Sequence, residues 1–171
     1  FLYTSGWFVS YAAHRTPPRL PWNTVWAALK RLLWPYVLWS IVFYILIYFH
    51  KAQMYTLWGY IRNLIVGYPF HFIPILLFYY VCSPLLVRLT GRFGYVLLAT
   101  IALYQAFLIA LVFPSVFGLS VPAWTEVLIP PVLGRTLARW AIYFPLGLVY
   151  SLKTKELLPW LQRHRIILAV A

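Results

Sequence analysis

Residues 30–50 read KRLLWPYVLWSIVFYILIYFH, and this stretch decides the fold class. The eighteen residues from Leu32 to Phe49 carry no charge, and a helix of that length is roughly 27 Å long, close to the hydrocarbon thickness of a bilayer. Lys30 and Arg31 precede it, and tryptophan and tyrosine side chains lie toward its two ends, where aromatic rings favour the headgroup level. The stretch therefore predicts a membrane-spanning helix, with Pro35 in its first turn, where proline is tolerated.

Composition predicts the same class for the whole chain. Of its 171 residues, 64% are hydrophobic and only 9% are charged, which lies well outside the range of soluble domains. The formal net charge is +12, but the cations occur singly or in pairs between apolar segments, so they cannot form the continuous basic face that nucleic acid requires. We therefore expect no nucleic-acid partner, and we expect membrane lipids with anionic headgroups and phosphate-bearing ligands instead.

The apolar segments predict an all-α fold, a polytopic transmembrane helix bundle. About five spans and the start of a sixth are expected, near residues 1–13, 32–49, 67–87, 93–113, 136–152 and 166–171. Residues 22–33 predict an amphipathic surface helix ahead of the second span, and residues 153–165 predict a basic amphipathic helix. Because the chain opens inside one apolar run and closes inside another, we expect it to be a fragment of a longer protein.

The loops differ in charge, and the difference predicts their orientation. Ten Lys and Arg fall on one side of the predicted spans and four on the other. The richer side holds Arg15, Arg19, Lys30, Arg31, Arg88, Arg92, Lys153, Lys155, Arg163 and Arg165; the poorer side holds Lys51, Arg62, Arg135 and Arg139. Because cytoplasmic loops carry the excess of Lys and Arg, the ten-cation side should be cytoplasmic, with a bacterial inner (cell) membrane as the expected location.

The chain holds no self-contained catalytic set. Its two acids, Glu126 and Glu156, fall on opposite sides of the predicted membrane, which excludes the paired carboxylates of a glycosidase. Its four histidines are far apart in sequence, and no HExxH or Cys/His spacing predicts a metal site. Any catalytic role must therefore rest on isolated polar residues.

Two polar positions each leave two alternatives open. Ser5 stands next to Gly6 in FLYTSGWF, where small residues favour either close helix packing or a polar role near a site. His71 lies beside prolines at the start of the third predicted span, where an ionisable residue is either functional or simply solvated at the interface.

Two arginines are equally ambiguous. Arg31 is either a cytoplasmic anchor for its span or a ligand for phosphate at the mouth of a cytoplasmic pocket. Arg139 either extends outward to the interface or faces the helix bundle. We expect Arg139 to face inward, because Arg135, one turn earlier, already supplies an interfacial charge.

Four segments together resemble the membrane acyltransferase family 3, multi-span enzymes that O-acylate sugars and other hydroxyl acceptors. FLYTSGWFVS (1–10) is similar to the family's aromatic-rich F-x-x-SG-F second span, and KRLLWPYVLWS (30–40) is similar to R-x-L-x-P-Y-x-x-W-S at the start of the third. FHFIPILLFYYVCSPLL (70–86) resembles the H-x-W-F-I/L-P-x-L…SPLL span, and PLGLVYSLKTKELLPWLQRHR (145–165) resembles a later segment with a glycine followed by a basic helix. The order and spacing match over nearly the whole chain, so residues 1–171 resemble a partial acyltransferase-3-like domain without its first span.

The resemblance implies an enzyme that moves an acyl group, typically acetyl, from acyl-CoA to a hydroxyl of a carbohydrate or lipid-linked acceptor. The family's catalytic histidine, with an arginine upstream of it, lies in the first span, so it is expected upstream of Phe1, and His71 is the one candidate within this chain. No metal and no bound cofactor are implied, because acyl-CoA is the donor substrate and its phosphates suit the basic loop. The expected substrate-binding residues are Arg31, Ser5, Lys30, Arg15, Tyr36 and Arg139.

Two other functions remain open from the sequence. Prolines within the spans and polar groups at membrane depth also suit a transporter or flippase subunit, because broken helices build binding sites near the midplane of the membrane. The scarcity of acidic residues suits a non-catalytic membrane scaffold.

Overall fold

The structure is a computed structural model, and it describes residues 1–13, 18–51, 54–68, 70, 72–118, 122–131 and 133–163. Within these ranges the chain is helical and has no β-strand, which confirms the predicted all-α class. The α-helices of the described part are α1 (Leu2–Ala12), α2 (Trp22–Lys51), α3 (Leu57–Val66), α4 (Phe72–Val112), α5 (Gly134–Trp140), α6 (Tyr143–Leu152) and α7 (Thr154–Arg163). Short 3-10 helices cover Pro114–Phe117 and Ala123–Leu128. Arg15, His71 and the start of a span expected at 166–171 lie outside the described residues.

Helix α2 begins earlier than the sequence predicts. We expected an amphipathic surface helix at 22–33 and a span at 32–49 with Pro35 in its first turn, but one helix of 30 residues covers both. Pro35 therefore lies inside the helix, and the prediction that it occupies the first turn is wrong. Because proline has no N–H, the carbonyl of Arg31 loses its helical hydrogen-bond donor, while the flanking turns keep the helix continuous.

Helices α2 and α4 are the two helices of the described ranges that are long and apolar enough to cross a membrane. The most apolar stretch of 18 residues in each helix has a mean hydropathy of 1.9 in α2 and 2.2 in α4. Only 22% and 6% of the residues in these stretches are buried. A core helix of a soluble protein would hide such a stretch, whereas these two present it on the surface.

Helix α4 consists of two segments that meet at Phe93, whose φ of −134° and ψ of 37° are not helical. Leu86 and Leu97, on opposite sides of this break, line one cavity, and so do Tyr79 and Tyr104. This pairing indicates that the chain reverses direction at Phe93. The segments 72–92 and 94–112 are roughly 31 and 28 Å long.

Helices α1 and α6 pack with their backbones in contact. A Cβ atom built on Gly6 would overlap the carbonyl oxygen of Phe144, and one built on Gly147 would overlap the carbonyl oxygen of Tyr3. One turn further along both helices, the hydroxyl of Ser10 donates to the hydroxyl of Ser151 (2.8 Å). Each helix thus contributes a small-xxx-small pattern to the interface, Gly6 with Ser10 on α1 and Gly147 with Ser151 on α6. Small residues at this spacing allow two helices to pack closely.

The predicted span at 136–152 is interrupted between α5 and α6. At this break the amide nitrogen of Gln105 donates to the carbonyl oxygen of Ala138 (3.1 Å), and its amide oxygen accepts from the backbone N–H of Ile142 (2.9 Å). The side chain of Gln105 thus takes the place of the hydrogen bond that would join Ile142 to Ala138 in a continuous helix.

A second side chain satisfies the same break. Pro145 has no N–H, so the carbonyl of Ala141, four residues earlier, has no helical donor. The hydroxyl of Tyr79 donates to that carbonyl instead. The Tyr79 ring also stacks on Phe144, with centroids 4.9 Å apart, in the most deeply buried part of the fold. Polar groups on α4 therefore complete the backbone of the broken helix.

The described loops gather at two ends of the bundle. At one end, a Cβ built on Gly91 would lie 3.4 Å from Cγ of Pro18, and the hydroxyl of Tyr95 donates to the carboxylate of Glu156 (3.3 Å). Lys153 donates to the other oxygen of Glu156 (2.7 Å), and this hydrogen bond holds the pKa of the Glu156 carboxyl below its ordinary value. We call this the Pro18 end, and the end that contains the α4 terminus and the start of α5 the Arg135 end.

Candidate functional site

Arg31 stands between two cavities. A cavity of about 240 Å³, lined by Leu20, Thr24 and Tyr80 among others, lies on its Pro18 side. A second cavity of about 430 Å³ lies on its other side and is almost wholly apolar. We call them the outer and the inner Arg31 cavity. Arg31, which is exposed, is the residue that lines both cavities.

Arg31 is exposed, and residues of the first segment of α4 lie across the two cavities from it. The sequence left open an anchor for the span and a phosphate ligand at the mouth of a cytoplasmic pocket, and the walls of the two cavities on α4 include Ile73, Leu76 and Tyr80. Tyr80 is twelve residues before Arg92, which is roughly 18 Å along the helix. Because the side chain of Arg31 is exposed, it can reach solvent as well as the two cavities, and both alternatives from the sequence stay open.

Tyr36 forms one wall of the inner cavity and also fixes α3 against α2. Its side chain is buried, and its hydroxyl donates to the carbonyl oxygen of Leu64 (2.6 Å). Two turns later, the hydroxyl of Tyr44 donates to the carbonyl oxygen of Tyr68 (2.9 Å). Both acceptors lie at or beyond the C-terminal end of α3, where helical carbonyls lack backbone partners. The role of Tyr36 in this structure is therefore to shape the cavity, with its hydroxyl already paired.

Ser5 and Lys30 are not among the residues that line the two Arg31 cavities. Ser5 is buried, and its hydroxyl donates to the carbonyl oxygen of Phe1 in its own helix (3.0 Å). Lys30 is exposed, and its Nζ lies 5.4 Å from the ring centroid of Trp26, one turn earlier on α2. The structure therefore separates Lys30 from its neighbour Arg31, since adjacent residues on a helix point about 100° apart.

Arg139 faces outward. We expected it to face the interior, but it is exposed, and its guanidinium lies 5.3 Å from the ring centroid of Phe113 at the Arg135 end. A cation over the face of an aromatic ring is stabilised by the ring's electron density. Arg139 is thus remote from the two Arg31 cavities, and the structure does not bring it together with Arg31 or Tyr36.

Sequence reasoning missed several residues of the site and of its support. The walls opposite Arg31 include Phe70, Leu76 and Tyr80, which are unremarkable members of apolar runs. Gln105 carried a signal, because it is the one amide inside the predicted span at 93–113, yet no spacing indicated its partners.

The described residues contain no group of three or more His, Cys, Asp or Glu side chains that could hold a metal ion. Among the described residues that line the two Arg31 cavities, Arg31 carries the one charged side chain. Chemically, this arrangement can bind an anion next to an apolar chamber. Comparisons of the chain with protein-family models, with curated proteins and with solved structures found no match.

Proposed function

We propose that this chain is part of an integral membrane O-acyltransferase, which moves an acyl group, acetyl in the first instance, from acyl-CoA to a hydroxyl of a carbohydrate or lipid-linked acceptor. The observation that carries the proposal is the position of Arg31 between an outer cavity and an apolar inner cavity. The resemblance of residues 1–10, 30–40, 70–86 and 145–165 to the membrane acyltransferase family 3 supports it.

The proposal includes a polytopic arrangement in a bacterial inner (cell) membrane. The low burial of the apolar stretches of α2 and α4 supports contact with lipid. The reversal of the chain at Phe93 supports two spans within α4, and the grouping of Pro18, Gly91 and Glu156 supports a common side for the cation-rich loops. This Pro18 end is cytoplasmic under the proposal.

Acyl-CoA suits the path past Arg31 on physical grounds. A donor that arrives from the Pro18 end meets the outer cavity first, where the guanidinium of Arg31 donates to a phosphate oxygen. The pantetheine arm and the acyl group then extend into the inner cavity, whose walls include Trp39, Phe70 and Ile73. Under the proposal, a histidine of the kind that the family resemblance implies acts as general base and takes the proton of the acceptor hydroxyl. The hydroxyl oxygen then bonds to the acyl carbon, the bond from that carbon to the thioester sulfur breaks, and CoA leaves as the thiol with that proton.

Replacement of Arg31 tests the proposal. In membranes that hold the complete protein, Arg31→Ala is expected to lower kcat/KM for labelled acetyl-CoA about tenfold or more, chiefly through KM, because a charge-assisted hydrogen bond to the donor is lost. Lys30→Ala is the matched control, since it removes the adjacent cation from a different face of α2. Its kcat/KM should stay within about twofold of the wild type.

Two results would contradict this assignment. Equal loss in Arg31→Ala and Lys30→Ala would indicate a general effect of loop charge rather than a donor site. Unchanged transfer in Arg31→Ala, with normal insertion of the protein, would remove Arg31 from the path of the donor.

A transporter is the second candidate, and the break between α5 and α6 is the feature of the structure that bears on it. Transporters place binding sites where interrupted helices expose backbone groups near the midplane. Here, however, Gln105 and Tyr79 already pair with the freed groups of Ala138, Ile142 and Ala141. The break therefore offers a substrate fewer open partners than a transport site requires.

A further inference from the structure

Another cavity lies at the Arg135 end and differs in chemistry from those at Arg31. Its volume is about 800 Å³, and its walls come from the end of α3, the end of α4 and the turn that leads into α5. The second segment of α4 separates it from the turn at Phe93 by roughly 28 Å. We call it the Arg62–Arg135 cavity, after the two arginines that line it.

The two arginines of this cavity have no ion-pair partner among the described residues. Arg62 on α3 and Arg135 on α5 line it together with a single acid, Glu126. In the described part of the chain, one ion pair is closer than 4 Å, and it joins Lys153 to Glu156. Glu126 therefore forms no ion pair with Arg62 or Arg135. Both arginines are exposed and line the same space without an ion-pair partner in the described ranges, so their N–H groups are available to an anion.

The remaining wall is apolar. Val66, Val112 and Ile129 line the same cavity, so charged and apolar surfaces lie side by side. An inorganic anion would leave the apolar part in contact with water, and an uncharged lipid would leave the arginines without partners. A ligand that satisfies both surfaces carries an anionic group and an apolar chain within one molecule.

Phosphate is the anion that this donor set favours. A guanidinium presents a planar fork of N–H groups that matches phosphate oxygens, and two such forks from different helices clamp one group from two sides. Glu126 adds an acceptor, which suits a hydroxyl close to the phosphate, as in glycerol or sugar headgroups. The volume lies within the range of small-molecule sites.

We propose that the Arg62–Arg135 cavity binds the phosphate of an amphiphilic phosphate ester, with Arg62 and Arg135 on the phosphate, Glu126 on a neighbouring hydroxyl, and the apolar wall around the start of the chain. The proposal does not depend on acyl transfer, because it concerns a separate cavity at the other end of the helices. It applies equally if the protein is a transporter.

Binding to the complete protein in neutral detergent tests the proposal. The probes are dioctanoyl phosphatidylglycerol, inorganic phosphate, which lacks the chain, and dioctanoylglycerol, which lacks the phosphate. The test variant is the pair Arg62→Gln and Arg135→Gln. The matched control is Arg139→Gln, which removes a third arginine from the same end that lies over Phe113 rather than in the cavity.

We expect the double variant to bind the phosphatidylglycerol probe at least about a hundredfold more weakly than the wild type, roughly tenfold for each arginine, and the control to bind within about twofold. Inorganic phosphate and dioctanoylglycerol should each bind at least about tenfold more weakly than the phosphatidylglycerol probe. Equal loss in the control and the double variant would overturn the site. Inorganic phosphate that binds as tightly as the lipid would overturn the amphiphile and assign the cavity to free phosphate.

Glu126→Gln keeps the proposal testable if the double variant fails to fold. Phosphatidylglycerol offers hydroxyls beside its phosphate, whereas dioctanoyl phosphatidic acid does not. Glu126→Gln should weaken the binding of phosphatidylglycerol relative to that of phosphatidic acid severalfold, because an amide accepts more weakly than a carboxylate. An unchanged ratio of the two affinities would overturn the role of the cavity in binding such a headgroup.

Discussion

Gly6→Ala and Gly147→Ala are each expected to lower the free energy of unfolding by about 3 kcal/mol, at the upper end of the usual cost of overpacking. A new Cβ at Gly6 would overlap the carbonyl oxygen of Phe144, and one at Gly147 would overlap that of Tyr3. Both obstacles are backbone atoms, so no change of side-chain rotamer relieves them, and the helices must move apart. The separation also stretches the hydrogen bond between Ser10 and Ser151.

Gly91→Ala is the matched control for these two substitutions. Gly91 is also inside a helix, but its new Cβ would meet Pro18 at 3.4 Å, an ordinary van der Waals contact. Alanine favours a helix over glycine by up to about 1 kcal/mol, so this variant should be as stable as the wild type or more so. The measurement is the thermal unfolding of the complete protein in detergent. Equal stability of all three variants would contradict the close packing of α1 on α6.

Gln105→Leu is expected to lower the free energy of unfolding by about 2 to 4 kcal/mol, because two backbone groups lose their partners and each unpaired buried group costs about 1–3 kcal/mol. The N–H of Ile142 and the carbonyl of Ala138 are both paired through the Gln105 amide. Leucine keeps the apolar volume but can neither donate nor accept.

Gln162→Leu is the control, since it makes the same change at an exposed position of α7 and should alter stability by less than about 0.5 kcal/mol. The same thermal unfolding assay compares the two variants. Ala141 and Ile142 both have right-handed helical dihedral angles, so without Gln105 the N–H of Ile142 could donate to the carbonyl of Ala138 and make the helix continuous. Wild-type stability in Gln105→Leu would mean that this backbone hydrogen bond forms and that Gln105 is not needed to pair the two groups.

The sequence indicated one of these features in part. For Ser5 and Gly6 it left close packing and a polar role as alternatives, and the structure shows Gly6 in backbone contact with α6. Ser5 donates to its own helix, so its hydroxyl has a structural partner. The partner glycine, Gly147, could not be identified, because 141 residues separate it from Gly6 and no local pattern links them.

The spatial grouping of the candidate site residues could be predicted only in part for the same reason. Arg31 and Tyr36 line one cavity, as the resemblance grouped them, whereas Lys30 and Arg139 face elsewhere. The side on which a helical residue lies depends on the rotation of the helix about its axis, at about 100° for each residue. Neighbouring residues of equal charge, such as Lys30 and Arg31, therefore have different surroundings, which their sequence does not reveal.

The amino-acid sequence by itself determined that this chain is helical and that its long helices carry apolar surfaces, because both properties follow from hydrogen bonds and hydropathy within about twenty consecutive residues. Only the tertiary structure decided what surrounds each polar side chain. Gln105 pairs with backbone groups at the break between α5 and α6, Arg31 lines two cavities, and Arg62 and Arg135 line the Arg62–Arg135 cavity together. These contacts involve residues tens of positions apart in the sequence, and they depend on how each helix is rotated about its axis and where it is interrupted.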